Sequence, residues 1–326
     1  MTTLHRTRRI GAIGALITAL AVGSGVACGG DSSNANGDVD GGSSEDGGGG
    51  GIDGGGGGEA GRGARSLTSC TTSIDPAAPA FYRTYFKCVT ITMSGDSVVI
   101  ATDALPPHAS YYYGDGDPSF AAFDTSRGAT YKPNPNKLAK RPFTLTVPAA
   151  PVSKNLIINA ALVDGVVATS TQEYRLGPVG VALDSVPLFN PLARPGDDID
   201  AEKYTFDAYD AHPAPDGTYH YHQSSRGPLE VLLLAGLTAS AVPGTASVEL
   251  FGIMCDGTVV LGCKELDGTA APDGASLDAQ GGHVGDIKDA TTTHFTARYH
   301  THVCPSSATG RKYTPEIQYY MATCAR

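Results

Sequence analysis

The chain has 326 residues, with 42 glycines, seven cysteines, nine histidines, no tryptophan and a formal net charge of −10. Apolar residues make up 41%, which excludes a fully disordered chain, and the acidic balance excludes a general nucleic-acid-binding protein. We therefore expect no nucleic acid among its partners. The glycines are unevenly spread, because 17 of the 42 lie within residues 29–66. The chain therefore has two regions of different composition.

The N-terminus has the layout of an export signal. Three arginines within residues 6–9 precede an apolar run at residues 10–22, which is short for a transmembrane helix. Small residues then lead to Cys28 in the sequence GVAC. This pattern resembles the lipobox of bacterial lipoproteins, in which the signal is cut before a cysteine that becomes lipid-modified. An ordinary cleaved signal with an unrelated cysteine is the alternative.

The lipoprotein resemblance implies a signal peptide at residues 1–27, lipidation of Cys28 and attachment to a membrane through the lipid. Because Gly29 follows the cysteine, it also implies an outer-membrane lipoprotein of the cell envelope, facing either the periplasm or the surface. Residues 28–66 are rich in glycine and aspartate and nearly free of apolar side chains, so they predict a disordered linker. A glycine-rich coil of this length has an r.m.s. end-to-end distance of about 35 Å.

Residues 67–326 have ordinary glycine density and predict one folded domain. Residues 88–102 (CVTITMSGDSVVIAT) indicate two strands joined by a Ser-Gly-Asp turn, and residues 143–147 alternate as a strand does. Long helical periodicity is absent, although residues 229–237 (LEVLLLAGL) suit either a helix or a buried strand. We predict an all-β fold with a β-sandwich-like domain.

A second hairpin is predicted around Asp164 and Gly165. Residues 155–163 and 166–174 flank this pair, and Asp-Gly between two candidate strands is a strong hairpin signal.

Six cysteines remain once Cys28 is assigned to the anchor, and an even number in an exported protein predicts disulfides. Fifteen pairings are possible. Proximity in sequence favours pairing each cysteine with its neighbour along the chain, in the order Cys70, Cys88, Cys255, Cys263, Cys304, Cys324.

Four histidines form two identical spacings. His220 and His222 lie in the sequence YHYH, and His300 and His302 lie in YHTH. Residues i and i+2 of a β-strand share one face, so each pair projects its two imidazoles to one side. Imidazole is a ligand for copper, zinc and nickel, and the absence of nearby thiolates favours Cu(II) or Zn(II).

The surroundings of the two pairs indicate an internal duplication. Residues 206–212 (FDAYDAH) and 277–283 (LDAQGGH) share a pattern that ends in His212 and His283. A G-x-x-x-D pattern precedes each copy at Gly180 and Gly252. The duplication predicts pseudo-two-fold symmetry, and one hypothesis places both histidine sets at a shared axis.

Residues 212–222 (HPAPDGTYHYH) resemble the YHYH-domain family, which is named for that tetrapeptide. Residues 177–191 (GPVGVALDSVPLFNP) resemble a signature segment of the family, and residues 102–108 resemble its segment that ends in a histidine, here His108. The resemblance extends over about residues 95–326. It implies a fold and a set of histidine positions but no activity, because the family is largely uncharacterised.

We therefore predict a metal-binding module that holds Cu or Zn through the two His-x-His pairs, His220, His222, His300 and His302. His212, His283 and His108 are candidates for further ligands or for groups that support the ligands. Asp207 and Asp278 are expected to orient the imidazoles by hydrogen bonding, as carboxylates do around metal sites.

The alternative function is a non-enzymatic surface module that binds a protein or a glycan, with the Tyr/His strands serving a structural role. In that interpretation residues 111–113 (YYY) form an aromatic platform. The sequence contains neither an H-E-x-x-H helix nor a G-x-S-x-G nucleophile motif, so binding is favoured over catalysis.

Overall fold

A computed structural model describes the chain over residues 63–166, 171–192, 199–272, 274–304 and 312–324. The predicted signal peptide, Cys28 and most of the predicted linker lie outside the described residues. Across these ranges, no helix has the length and apolar character needed to span a bilayer.

β-Strands dominate the described residues and are numbered here in chain order. The N-terminal strands are β1 (Ser73–Ile74), β2 (Thr90–Ser94), β3 (Ser97–Thr102), β4 (Phe143–Pro148) and β5 (Val152–Ser153). The remaining strands are β6 (Pro178–Ala182), β7 (Pro187–Phe189), β8 (Ala211–Pro213), β9 (Tyr219–Tyr221), β10 (Leu250–Met254), β11 (Val259–Leu261), β12 (Gly282–Lys288), β13 (Thr293–His302) and β14 (Tyr320–Met321). The helices are α1 (Ala80–Tyr85), α2 (Ala160–Asp164), α3 (Ile199–Glu202) and α4 (Arg226–Leu234), with short 3-10 turns at Thr125–Arg127, Lys203–Thr205 and Gly274–Ser276.

Two main sheets contain 12 of these 14 described strands, in agreement with the all-β prediction. One sheet has four strands in the order β1-β2-β3-β4, and the other has eight. Apolar side chains of both sheets share one core, in which Ile100 and Val147 of the small sheet join Val181, Ile253 and Val260 of the large one. Strands β5 and β14 form a separate two-stranded sheet. The predicted hairpin within residues 88–102 is confirmed as β2–β3.

The hairpin predicted around Asp164 and Gly165 is wrong, because this pair ends helix α2. The side chain of Asn159 accepts a hydrogen bond from the Leu162 amide and caps the helix at its start. The Gly165 amide donates to the Ala161 carbonyl at its end. Glycine after aspartate therefore terminates a helix here instead of turning a hairpin. Residues 229–237 are likewise largely helical, within and just after α4.

The eight-stranded sheet is symmetric about its centre. Its strand order is β12-β13-β11-β10-β6-β7-β9-β8, so the two copies of the duplicated sequence meet at the β10–β6 pair and extend outwards in matching order. At the centre Val181 pairs with Ile253, and these two residues occupy equivalent positions of the two copies. Gly180 pairs with Met254 and Gly252 with Ala182, as two-fold symmetry requires. The predicted internal duplication is therefore visible in the strand register.

The described cysteines form three disulfides, and two of the pairings differ from those favoured by sequence proximity. Cys70 pairs with Cys88 as expected, whereas the other bonds are Cys255–Cys324 and Cys263–Cys304. The reason for the last bond lies in the sheet, since β11 and β13 are parallel neighbours that pair Leu261 with His302. Cys263 and Cys304 each lie two residues beyond this pair, just after the two strands end, and are therefore again side by side.

Candidate metal centres

Two β-hairpins position the histidines in the same way. In β8–β9, His212 lies directly opposite His220, and in β12–β13, His283 lies directly opposite His300. The second histidine of each pair comes two residues later and projects to the same face. The described residues contain two groups with closely spaced ligand atoms. We name them the first histidine cluster (His212, His220, His222) and the second histidine cluster (Glu265, His283, His300, His302).

Backbone carbonyls hold the imidazoles of both strand pairs through Nδ1. The bonds run from His220 to Thr218 O (2.9 Å), His222 to Asn190 O (2.7 Å), His300 to Arg298 O (2.9 Å) and His302 to Gly262 O (2.9 Å). A carbonyl only accepts, so Nδ1 carries the proton and Nε2 of the neutral ring presents a lone pair. The acceptors are equivalent residues in the two copies. The sequence folds each pair so that two lone pairs face one centre.

The first histidine cluster is buried from solvent. The Nε2 atoms of His220 and His222 are 2.9 Å apart, while His212 Nδ1 lies 2.6 Å from the Thr205 hydroxyl. Burial lowers the pKa of His212 to about 3 and that of His222 to about 4. Burial, together with the two neighbouring imidazoles, holds the pKa of His220 well below its usual value. These rings are therefore neutral near pH 7, which is the form that binds a metal.

Packing fixes the ring planes of the first histidine cluster. Phe189 stacks on His220 with ring centroids 3.8 Å apart, and Phe206 lies parallel to His222 at 5.9 Å. A carboxylate also approaches the cluster, since Glu202 Oε2 is 4.0 Å from His212 Nε2. The two phenylalanines and the carbonyl bonds leave each imidazole one orientation.

The second histidine cluster contains a carboxylate among its imidazoles. Glu265 Oε1 lies 3.1 Å from His283 Nε2 and 3.3 Å from His302 Nε2, and Glu265 Oε2 lies 3.3 Å from His300 Nε2. His283 Nε2 and His302 Nε2 are 3.2 Å apart. Tetrahedral zinc sites have metal–nitrogen bonds of about 2.0–2.1 Å, which place adjacent donor atoms about 3.3–3.4 Å apart. These four separations, 3.1–3.3 Å, are close to that value.

His300 carries an unsatisfied polar atom at this cluster. Its Nε2 is buried and makes no hydrogen bond, and the Glu265 carboxylate oxygen 3.3 Å away is also an acceptor. Buried polar atoms are rarely left without a partner. Burial lowers the pKa of His300 against the opposing effect of Glu265, so the ring is neutral. Its Nε2 therefore presents a lone pair that no hydrogen-bond donor contacts. A cation at the centre of the cluster would satisfy it.

Glu265 was missed by sequence reasoning. It lies in the loop after β11, and its side chain is 17% exposed beside His283, which is 20% exposed. Burial alone would raise the pKa of Glu265, but the facing imidazoles of His283, His300 and His302 outweigh it and lower that pKa strongly. The carboxylate is therefore ionised, as a metal ligand must be. A lone glutamate in a loop carries no sequence signal for this role.

His108 belongs to neither cluster. Its Nε2 lies 3.2 Å from the Tyr221 hydroxyl, and its Nδ1 lies 3.2 Å from the Ala109 carbonyl. Its ring stacks on Tyr209 with centroids 3.5 Å apart. The structure thus places six of the seven predicted histidines in clusters and His108 in the core behind β9.

Asp207 and Asp278 do not orient the imidazoles, contrary to the sequence expectation. Asp207 accepts a hydrogen bond from the Tyr219 hydroxyl at 2.7 Å, and Asp278 accepts one from the Tyr299 hydroxyl at 2.6 Å. These tyrosines alternate with the histidines and therefore project from the other face of the strand. The backbone carbonyls perform the orienting role that the sequence assigned to the carboxylates.

The shared-axis hypothesis is wrong, because the two clusters are separate. Four strands lie between β9 and β13 in the sheet. With neighbouring strands about 4.8 Å apart, β9 and β13 are about 24 Å from each other. The symmetry axis passes through β6 and β10, so the duplication gives two centres instead of one.

The tyrosines of the proposed aromatic platform are buried. Tyr111, Tyr112 and Tyr113 are 7%, 1% and 5% exposed, and the hydroxyls of Tyr111 and Tyr112 both donate to the Thr205 carbonyl. This cluster therefore supports the core and offers no exposed ring to a glycan. The bond to Thr205 also joins it to the residue that contacts His212.

Comparison with known proteins gives one match. Residues 160–276 match the family model described as YHYH protein. No curated protein and no solved structure matches the chain. The matched span includes the whole first histidine cluster and Glu265 of the second. The chain carries a YHYH domain, and the family resemblance of its sequence is confirmed over residues 160–276.

Proposed function

We propose that this domain binds Cu(II) or Zn(II) at two centres, the first and the second histidine cluster. The observation that carries the proposal is the short separation of paired Nε2 atoms, 2.9 Å between His220 and His222 and 3.2 Å between His283 and His302. With Nδ1 of His220 and His222 donating to carbonyls, the facing Nε2 atoms of these two neutral rings carry lone pairs.

Two facing lone pairs repel each other unless a positive charge lies between them. A proton would serve, but it would make an imidazolium in a buried environment, and burial lowers the pKa of His220 and His222. A metal ion satisfies both lone pairs without protonating either ring. When bound, the ion would supply a positive charge and directed bonds to nitrogen. The residues present therefore fit a metal that prefers imidazole.

Glu265 distinguishes the two centres. In the second cluster three imidazoles and one carboxylate supply four donors, which is the number of a closed tetrahedral site. Catalytic zinc sites instead keep one position open for water or substrate. We propose that the second cluster binds its metal without turning over a substrate.

The cellular setting is also a proposal. Three arginines, an apolar run and the sequence GVAC before Gly29 support export, lipidation of Cys28 and attachment to the outer membrane. The glycine-rich segment to residue 66 would separate the domain from the bilayer by an r.m.s. distance of about 35 Å. In this setting the domain would meet metal ions outside the cytoplasm, where disulfides persist. We propose no nucleic acid among its partners, since the chain is acidic.

Metal analysis of the full chain, purified without a histidine tag, tests the proposal. After incubation with Zn(II) or Cu(II) and removal of unbound ions, we expect two bound ions per chain. His220→Ala/His222→Ala should remove one, and His300→Ala/His302→Ala should remove the other. Tyr221→Phe, on the opposite face of β9, is the matched control and should retain both. A folded wild-type chain that stays metal-free in both solutions would contradict the proposal and favour a non-enzymatic interaction module.

A further inference from the structure

One disulfide joins the two chain segments that supply ligands to the second histidine cluster. Cys304 follows His302 by two residues at the end of β13, and Cys263 precedes Glu265 by two residues in the loop after β11. The residue before Cys263 also takes part, because the Gly262 carbonyl accepts the Nδ1–H bond of His302. The covalent link thus lies between the glutamate and a histidine that it contacts at 3.3 Å.

The backbone around the disulfide is fixed on both sides. The Val303 amide donates to the Leu261 carbonyl at 2.8 Å, which keeps β13 in register with β11. The Cys263 amide donates to Glu249 Oε2 at 2.7 Å, at the point where the chain leaves β11. Beyond this point the loop carries Glu265 towards the histidines. Glu265 lies in a turn after β11 whose backbone bonds are internal to the turn, since the Glu265 amide donates to the Thr269 carbonyl at 2.9 Å. The adjacent Leu266 packs in the core, so the disulfide is the covalent part of a wider attachment.

We infer that the Cys263–Cys304 disulfide positions Glu265 against His302, and that retention of metal by the second histidine cluster depends on the redox state of this bond. The inference rests on the proposed function. Through this bond the covalent path from Glu265 to His302 passes only Lys264, Cys263, Cys304 and Val303. The Glu265 carboxylate is therefore held close to the imidazoles of the second histidine cluster. Breaking the disulfide would remove the covalent crosslink between this loop and β13, and we expect Glu265 to move away from His302.

The first histidine cluster provides an internal comparison. The positions equivalent to Cys263 and Cys304 are Pro191 and Ser224, which cannot form a disulfide. His222 nevertheless holds the same carbonyl bond there, to Asn190. The first cluster should therefore keep its metal under conditions that release metal from the second.

Reduction of the disulfide requires an external dithiol or a phosphine. A dithiol supplies two electrons, the Cys263–Cys304 S–S bond breaks, both cysteines become thiols, and the reductant leaves as its own disulfide. Cys263 is half-buried whereas Cys304 is buried, so we expect attack from the Cys263 side. Because the second cluster is itself 17–20% exposed at Glu265 and His283, a released ion has a path to solvent.

Transfer of zinc to a coloured chelator tests the inference on the zinc-loaded full chain. We expect Cys263→Ser/Cys304→Ser to lose one of its two ions about tenfold faster or more, the range found when groups supporting metal ligands are removed. The other ion should leave at the wild-type rate, and adding His220→Ala/His222→Ala should remove that slow phase. Cys70→Ser/Cys88→Ser is the matched control, and both of its ions should leave at wild-type rates.

The outcomes separate the inference from the proposed function. A wild-type chain that binds neither zinc nor copper contradicts the proposed function and, with it, the inference. Two ions released at unchanged rates from Cys263→Ser/Cys304→Ser would overturn the inference alone. If this variant does not fold, the native zinc-loaded chain is reduced with a phosphine and alkylated, and mass spectrometry identifies the modified cysteines. Retention of both ions by protein alkylated at Cys263 and Cys304 would then overturn it.

Discussion

Gly252 lies so close to Val181 that a methyl group on its Cα would overlap the Val181 carbonyl oxygen. This contact is at the central strand pair, where the two copies of the duplicated sequence meet. Its equivalent, Gly180, is similarly close to the Ile253 carbonyl, since a methyl there would lie 2.9 Å from that oxygen. Glycine is therefore required in both copies for β6 and β10 to pair.

Gly252→Ala should destabilise the domain by about 2 kcal/mol or more, because overpacking a buried site forces the backbone to move. Urea unfolding followed by circular dichroism measures this loss. Gly114→Ala is the matched control, since a methyl at Gly114 meets no atom within 4 Å. Equal unfolding midpoints for the two variants would show that the pairing of β6 with β10 tolerates the added methyl group.

The neutral histidines predict a pH dependence for the metal-free protein. His222 has a folded pKa of about 4 against about 6.5 in the unfolded chain, so the unfolded chain binds more protons between these values. Stability from this residue is fully present above pH 6.5 and is lost as the pH falls towards 4. The shift corresponds to about 3 kcal/mol.

Comparison with His222→Gln isolates this contribution. Buried Asp184 acts in the opposite direction, because burial raises its pKa to about 7 and the folded state then retains a proton. Wild type should therefore lose more stability than His222→Gln between pH 7 and pH 4.5, measured by urea unfolding in the presence of a chelator. Parallel pH profiles of the two proteins would contradict the lowered pKa of His222.

Glu265→Gln should weaken metal binding at the second histidine cluster by tenfold or more, because the amide removes the negative charge that faces three imidazoles. The first cluster should be unaffected. Titration against a competing chelator measures the two affinities separately. Asp267→Asn is the matched control in the same loop, since its carboxylate pairs with the half-exposed Lys288 at 3.7 Å and makes no contact with the cluster histidines. An unchanged second affinity in Glu265→Gln would show that glutamate is not a ligand.

The tyrosine–aspartate pairs predict two separable losses of stability. Tyr219→Phe removes the hydroxyl that donates to buried Asp207, and Tyr299→Phe removes the equivalent donor to half-buried Asp278. We expect a cost of about 1–3 kcal/mol for each, with the larger cost at the more buried Asp207. Because the pairs lie far apart, the double variant should show the sum to within about 0.5 kcal/mol in urea unfolding. A clearly smaller loss in the double variant would indicate coupling between the halves.

The histidine clusters could be predicted in part from the sequence. The i, i+2 spacing places His220 and His222 on the same face of a strand, whatever the rest of the fold is. The repeated spacing predicts the same arrangement for His300 and His302. Glu265 was beyond this logic, because its place depends on a loop held by a disulfide. That disulfide depends in turn on the parallel register of β11 and β13, which joins segments distant in sequence.

The arrangement of the copies was also beyond the sequence. A duplication predicts a symmetry axis but not which strands lie on it, and here β6 and β10 do. The Asp-Gly pair at Asp164 shows a similar limit, since the same dipeptide ends a helix or turns a hairpin according to the caps around it. Local patterns identified the elements, whereas their partners were set by packing.

The mirrored strand order has an evolutionary consequence. Each half of the sheet contains one histidine cluster and ends at the centre in a strand that pairs with its own equivalent. Such a half has the geometry of one subunit of a two-fold symmetric homodimer. Fusion of two such subunits into a single gene would keep the central pairing of β6 with β10. It would also let the two centres differ in sequence, whereas the two subunits of a homodimer must be identical. In this protein the two centres differ, because the second contains Glu265 and lies beside the Cys263–Cys304 bond, whereas the closely spaced described donors of the first are three imidazoles.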